Sequence, residues 1–239
     1  MLPIARGELI QIFRNRLVLV TSLVLPIAFG AMFIGLHKTF QRVASLGYIA
    51  AMVMFFVVTI GLYTTTVTTL AARRQNLFLK RLRSTAASDR GILSGLLLPI
   101  VVIALVQVAA ILAVLAAVTS RPSDVVLLVP AVLAAVAMML GLGLATAGHT
   151  NSPEHAQVTT MPVMIGVLSA AGWVGATGTH KLATLKRLLP GGSATELVLN
   201  AWNGGVAVRD SLILFAPTLA WVVVAVALAG RMFRWEPHR

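Results

Sequence analysis

The chain has 239 residues, of which 58% are hydrophobic and 11% charged, with nineteen Lys and Arg against seven Asp and Glu and a formal net charge of +12. So few charges exclude an ordinary soluble domain, in which about 25% of residues are charged. No cysteine is present, which excludes disulfides and thiol chemistry.

The first element in chain order is PIARGELIQIFRNR, ahead of any long apolar run. Leu9, Ile10, Phe13 and Leu17 share one helical face, and Glu8, Gln11 and Asn15 share the opposite one. That pattern suits a helix lying in the membrane interface over residues 1–16, with Arg6 and Arg16 reaching toward headgroups. It is read either as a plain anchor or as a lever beside an inner partner.

Six stretches without Asp, Glu, Lys or Arg then follow: Leu17–Leu36, Val43–Ala72, Gly91–Ser120, Val125–Thr150, His155–His180 and Ser211–Gly230. Each reaches the roughly 20 residues needed to cross the hydrocarbon core. The expectation is an all-α membrane protein of six transmembrane helices in a single domain spanning 1–239. The first run is too long for a signal-peptide core and is expected to stay in the mature protein. With the N-terminus inside, twelve of the nineteen basic residues fall on cytoplasmic segments, including Arg6, Arg14, Arg16, Arg231, Arg234 and Arg239. This bias follows the positive-inside rule and accounts for the charge without nucleic acid. Both termini are accordingly expected in the cytoplasm of a multi-pass plasma-membrane protein.

The second run contains YTTTVTT, residues 63–69. Its threonines either bond back to carbonyls one turn earlier or form a polar wall of a substrate path, with Thr64, Thr65 and Thr68 the candidates. Next comes RRQNLFLKRLRSTAASDR, residues 73–90, the densest charge in the chain: six basic residues and one acid. On a helix, Ala71, Gln75, Phe78, Leu79 and Leu82 form one mostly apolar stripe, and Leu77 falls among the basic residues. As a local pattern this is either a topogenic loop on anionic lipid or a docking surface.

Gly141 with Ala145, and Gly166 with Ala170, give small-xxx-small faces for close packing within or between subunits. Pro26, Pro99, Pro130, Pro162 and Pro217 fall in apolar runs, where they kink or begin helices. Residues 181–210 are mixed in character: a turn at Pro190–Gly192, a short amphipathic helix through Trp202, then a second Gly turn. Ser193 with Glu196 fits a capping box, and the segment is assigned to the outer surface.

Enzyme motifs are missing. There is no GxxxxGK[ST] phosphate loop, and LPGGS at 189–193 has no nucleotide domain beside it. HTNSPEH at 149–155 lacks the HExxH and HxxEH spacings of zinc sites. No charge stands at mid-span, where proton and ion relays place one. That absence counts against a proton-driven secondary transporter, and the missing motifs make an embedded enzyme the weakest reading. A self-sufficient channel or secondary carrier is the rival to a driven transporter.

Three segments carry a family resemblance: ELIQIFRNRLVLVTSLVLPIAFGAMF at the N-terminus, LKRLRSTAAS after the second run, and MPVMIGVLSAAG followed by KRLLP. They resemble the entry helix and first span, the cytoplasmic coupling segment, and the fifth span and outer loop of type-2 ABC-transporter permeases of the daunorubicin-resistance-like export group. The likeness covers nearly the whole chain. The few charges of the spans point to an apolar or amphiphilic small molecule as cargo, with polysaccharide and peptide left open. The resemblance implies an exporter subunit, expected in a bacterium, paired with a second permease copy and sitting on a separate ABC ATPase. That partner would hold the ATP and Mg, so no cofactor is expected in this chain, and lipid is its surround. It also implies that 73–90 is the coupling segment, with Leu77, Phe78, Lys80, Arg81 and Arg83 meeting the ATPase.

Overall fold

A computed structural model describes residues 2–42, 44–84, 88–179 and 181–233. Val43 and His180 (the edges of two expected spans), residues 85–87 of the basic stretch, and Arg234 and Arg239 lie outside the described residues, as does the side chain of Leu17. The described residues are helical, with no strand among them.

The helices are α1 (Leu2–Arg14), α2 (Arg16–Leu19), α3 (Leu25–Gly35), α4 (His37–Phe40), α5 (Leu46–Phe56), α6 (Thr65–Gln75), α7 (Phe78–Arg83), α8 (Asp89–Val118), α9 (Val125–His149), α10 (Pro153–Thr177), α11 (Ala183–Leu188), α12 (Gly192–Asn203), α13 (Val208–Leu212) and α14 (Phe215–Met232). Two π-helical segments, Val20–Val24 and Val57–Thr64, join α2 to α3 and α5 to α6. Among the described residues, five continuous helices are long and apolar enough to cross a membrane: Leu46–Gln75, Asp89–Val118, Val125–His149, Pro153–Thr177 and Val208–Met232. The expected first span appears as the shorter apolar helix Val20–Gly35. The helical membrane architecture thus stands with five long helices and one shorter apolar helix, in which Pro26 sits in the first turn of α3 directly after a π segment.

Contacts sort the helix ends into two layers. At one end, here the α7 end, Glu8 of α1 meets Arg73 of α6, and Arg74 meets Thr150 behind α9. At the other, the α12 end, Asn203 bonds Ser45 ahead of α5, and Ser123 bonds the Trp202 carbonyl. Both described termini, Ile4 and Phe233, pack at the α7 end.

The main core follows α5 and the π segment after it, with Ile49, Val53, Met54, Phe55, Val58, Leu62 and Tyr63 all fully buried. The rings of Phe40, Phe33, Phe29 and Phe56 stack in series, tying α3 to α5 with centroids 4.5, 4.7 and 3.4 Å apart. A separate apolar cluster sits at the α7 end: Leu70, Leu79, Ile92, Leu96, Leu97 and Ala147.

The short helix expected through Trp202 is present as α12, but its expected cap is not. Ser193 lies inside the helix, buried, with its hydroxyl 2.9 Å from that of Thr218. The N-cap is Gly191, at φ +89°, and the chain turns so tightly that a Cβ on Gly192 would sit 1.8 Å from the Lys186 carbonyl oxygen. Glu196 has left the capping box for Arg187, which donates to it from Nε and a terminal nitrogen at 2.7 Å each, and for Thr179, also at 2.7 Å. That carboxylate raises the affinity of the Arg187 guanidinium for its proton.

Candidate functional site

Three features meet at the α7 end. The first is a hinge. A continuous helix through Ala71 and Leu82 would keep the predicted stripe in register, but α6 stops at Gln75 and Leu77 adopts φ +57°. The left-handed region costs a leucine roughly 1–2 kcal/mol, which is why Gly or Asn normally fills it. Leu77 is also 46% exposed. From this turn α7 folds back, burying Leu79 fully and leaning Phe78 and Leu82 on the cluster formed with Leu70, Ile92 and Leu96. Lys80, Arg81 and Arg83 remain on the exposed side. Arg81 donates to the Asn76 carbonyl at 2.8 Å, closing the hinge, and Arg83 pairs with Asp89 at 3.0 Å across a half-exposed surface. Of the five sequence-derived docking residues, four thus share one surface, and Phe78 lies partly beneath it.

The second feature is a pair of adjacent arginines that reach in different directions. Arg73 holds α1: its Nε is 2.7 Å from one oxygen of Glu8, a terminal nitrogen donates to the other at 2.8 Å, and it also contacts Gln11. Its guanidinium carbon lies 5.2 Å from the centre of the Phe78 ring, so the same side chain touches α7. Arg74 turns inward and is 1% exposed. It donates to the Thr150 carbonyl at 3.3 Å and lies 5.7 Å from the Phe233 ring, just beyond α14. A cation placed at helix C-termini offsets their unpaired carbonyls. Thr150 extends the network, its hydroxyl bonding Thr159 and the Thr146 carbonyl at 2.9 Å, while Tyr63 reaches Thr146 at 3.1 Å.

The third feature is a polar cavity of about 430 Å³ between α1, α6 and the start of α10. Glu8, Gln11 and Ile12 line one side, Thr64, Thr68, Ala72 and Arg73 another, and Pro153, Glu154 and Gln157 the third. Thr64 and Thr68 are therefore on the wall. Thr65 is 2% exposed and off it, its hydroxyl without a partner among the described residues. The back-bonding expected of these threonines is present too: Thr68 donates to the carbonyls of Thr64 and Thr65, and Thr64 to that of Thr59 five residues earlier, the spacing of the π segment. π segments arise where an extra residue is held in a helix, often at functional positions.

Among the described residues no group of three or more His, Asp or Glu is placed to hold a metal ion. An all-helical membrane bundle is what the resemblance implies. The family model described as "ABC-2 family transporter protein" matches residues 37–229. The chain belongs to this family. No curated protein matches the sequence. As an ABC-2 permease it is a membrane subunit of an ABC transporter, a family whose members generally leave ATP hydrolysis to an associated ABC ATPase.

Sequence reasoning missed Glu8, Arg74 and Lys186 as structural ions. Glu8 and Arg73 are 65 positions apart, and nothing in either local pattern signals the pair. Lys186, 2% exposed, caps α10 at the α12 end by donating to Thr177 at 2.7 Å and to the Gly178 carbonyl, with Trp173 5.1 Å away. Nothing in the sequence around Lys186 signals that its side chain is buried.

Proposed function

We propose that this ABC-2 permease is the membrane half of an ATP-driven exporter, crossing the bilayer six times with both termini in the cytoplasm of a bacterial cell. A separate ATPase, holding ATP and Mg, docks on α7, and a second permease copy completes the transporter. Leu77 carries this reading. Its backbone is in an unfavourable region and its apolar side chain is exposed, a double cost that a docking contact offsets. Closure of the ATPases pushes α7, and α7 is attached to everything that must move: to α1 through Phe78 and Arg73, and to α8 and α9 through Leu79 and its cluster. The polar cavity beside Thr64 and Thr68 then serves as the inner part of the cargo route, with amphiphilic cargo suited to its mixed wall.

The double variant Leu77→Asp with Arg81→Glu tests this. Truncated or reversed anchors at a docking centre typically cost ~2 kcal/mol or more. ATPase capture and transport should both fall, while membrane abundance holds because Arg73, Arg74, Lys80 and Arg83 still set orientation. Capture and transport at the level of the parent chain would leave α7 a topogenic loop.

A further inference from the structure

The charge of the polar cavity runs against that of the chain. Two of the seven acidic residues, Glu8 and Glu154, line it, and only one of the nineteen basic residues, Arg73, does. Glu8 is neutralised by Arg73. Glu154 has no ion pair among the described residues and is fully exposed at the mouth. The stretch from the end of α9 through the first turn of α10, residues 150–154, carries Glu154 and no Lys or Arg. Over its lining the cavity thus keeps one uncompensated carboxylate, in a chain whose net charge is +12. The flanking His149 and His155 are not on its wall.

We propose that the cavity receives the head of a singly charged organic cation, an amine, quaternary ammonium or phosphonium on an apolar frame, and disfavours organic anions. The proposal rests on the reading of the cavity as the cargo route. Glu154 supplies the counter-charge, the Gln11 and Gln157 amides and the Thr64 and Thr68 hydroxyls supply polar contacts, and Ile12 and Val18 cover the frame. Its volume of about 430 Å³ falls in the range of about 300–1,000 Å³ usual for small-molecule sites.

The test uses the purified full chain in nanodiscs of zwitterionic lipid, so that the bilayer does not itself gather cations. Tetraphenylphosphonium and tetraphenylborate, ions of like shape and opposite charge, are measured by equilibrium dialysis against empty discs. The unaltered chain should retain the cation above empty discs. Gln157→Glu, an exposed and conservative change that adds a second carboxylate to the wall, should tighten it by about fivefold, and Glu154→Lys should weaken it by about as much. The anion should follow the reverse order. Equal cation binding in all three chains, or parallel changes for the two ions, overturns the proposal. ATPase capture by the same preparations reads the transporter assignment separately: capture without charge discrimination rejects the cargo class alone, and discrimination without capture rejects the ATP-driven reading alone.

Discussion

Gly141 and Gly166 look alike in the sequence, each opening a small-xxx-small pair, yet their surroundings differ. A Cβ on Gly141 would lie 2.9 Å from that of Ala225 and 3.2 Å from the Ala225 carbonyl carbon, so this face joins α9 to α14 inside one chain. Gly166 has nothing within 4 Å, and its supposed partner Ala170 is buried. Gly141→Leu should therefore lower stability by about 1–3 kcal/mol, the usual effect of overfilling a packed contact. Thermal unfolding in nanodiscs would show it, and Gly166→Leu should leave the single chain's midpoint unchanged. Equal shifts for the two variants would remove the distinction. The sequence pattern identified both as places of close approach but could not say to what, because the partner of Gly141 is 84 residues away. The same limit hid the buried cations: Arg74 and Lys186 carry the signature of loop charges, and only the folded chain brings helix-end carbonyls to them.

At the scale of elements, the amphipathic pattern of α1 was legible and the contact made by its polar face was not. Leu9, Ile10 and Phe13 are exposed as the pattern predicts, while Glu8 is 4% exposed against Arg73. If this pair fastens α1 to α6, removing either charge leaves the other poorly solvated, at a cost of about 1–3 kcal/mol. Glu8→Arg and Arg73→Glu should each destabilise the chain, and the double variant should recover part of the loss. A double variant as unstable as the sum of the two would mean that the charges do not act on one another. The helix α7 was half legible. Its apolar stripe predicted which residues of α7 are covered, since Leu79 is fully buried and Phe78 and Leu82 partly so. The break before it was invisible, because nothing in a leucine beside Asn76 signals a left-handed turn at the leucine. The π segments were equally hidden, since one added residue in a uniformly apolar run leaves its hydropathy unchanged.

Across the whole molecule, exposure and apolarity disagree at one helix. The outward faces of α8, α9 and α14 are aliphatic, as lipid requires, with Val106, Val126 and Val223 among their most exposed residues. The helix α10 is the least apolar of the five long helices, yet only 33% of its most apolar stretch is buried. Its outward stripe runs through Met161, Pro162, Ile165, Gly166 and Ser169, and its first turn borders the polar cavity. A helix that is open but poorly suited to lipid fits a second copy better, and small residues at its centre permit backbones to approach. A paired permease built on α10 would also bring the two cavities toward one axis. The chain has no cysteine, so one introduced thiol reports on this without background. Gly166→Cys should give a disulfide-linked dimer on mild oxidation in native membranes, whereas Val126→Cys, 83% exposed on α9, should stay monomeric. Ser169→Cys, one turn along the same stripe, should cross-link as well, because residues three apart on a helix share a face. Cross-linking at Val126 as efficient as at Gly166 would reduce the signal to random collision, and none at either stripe position would move the dimer contact to another helix.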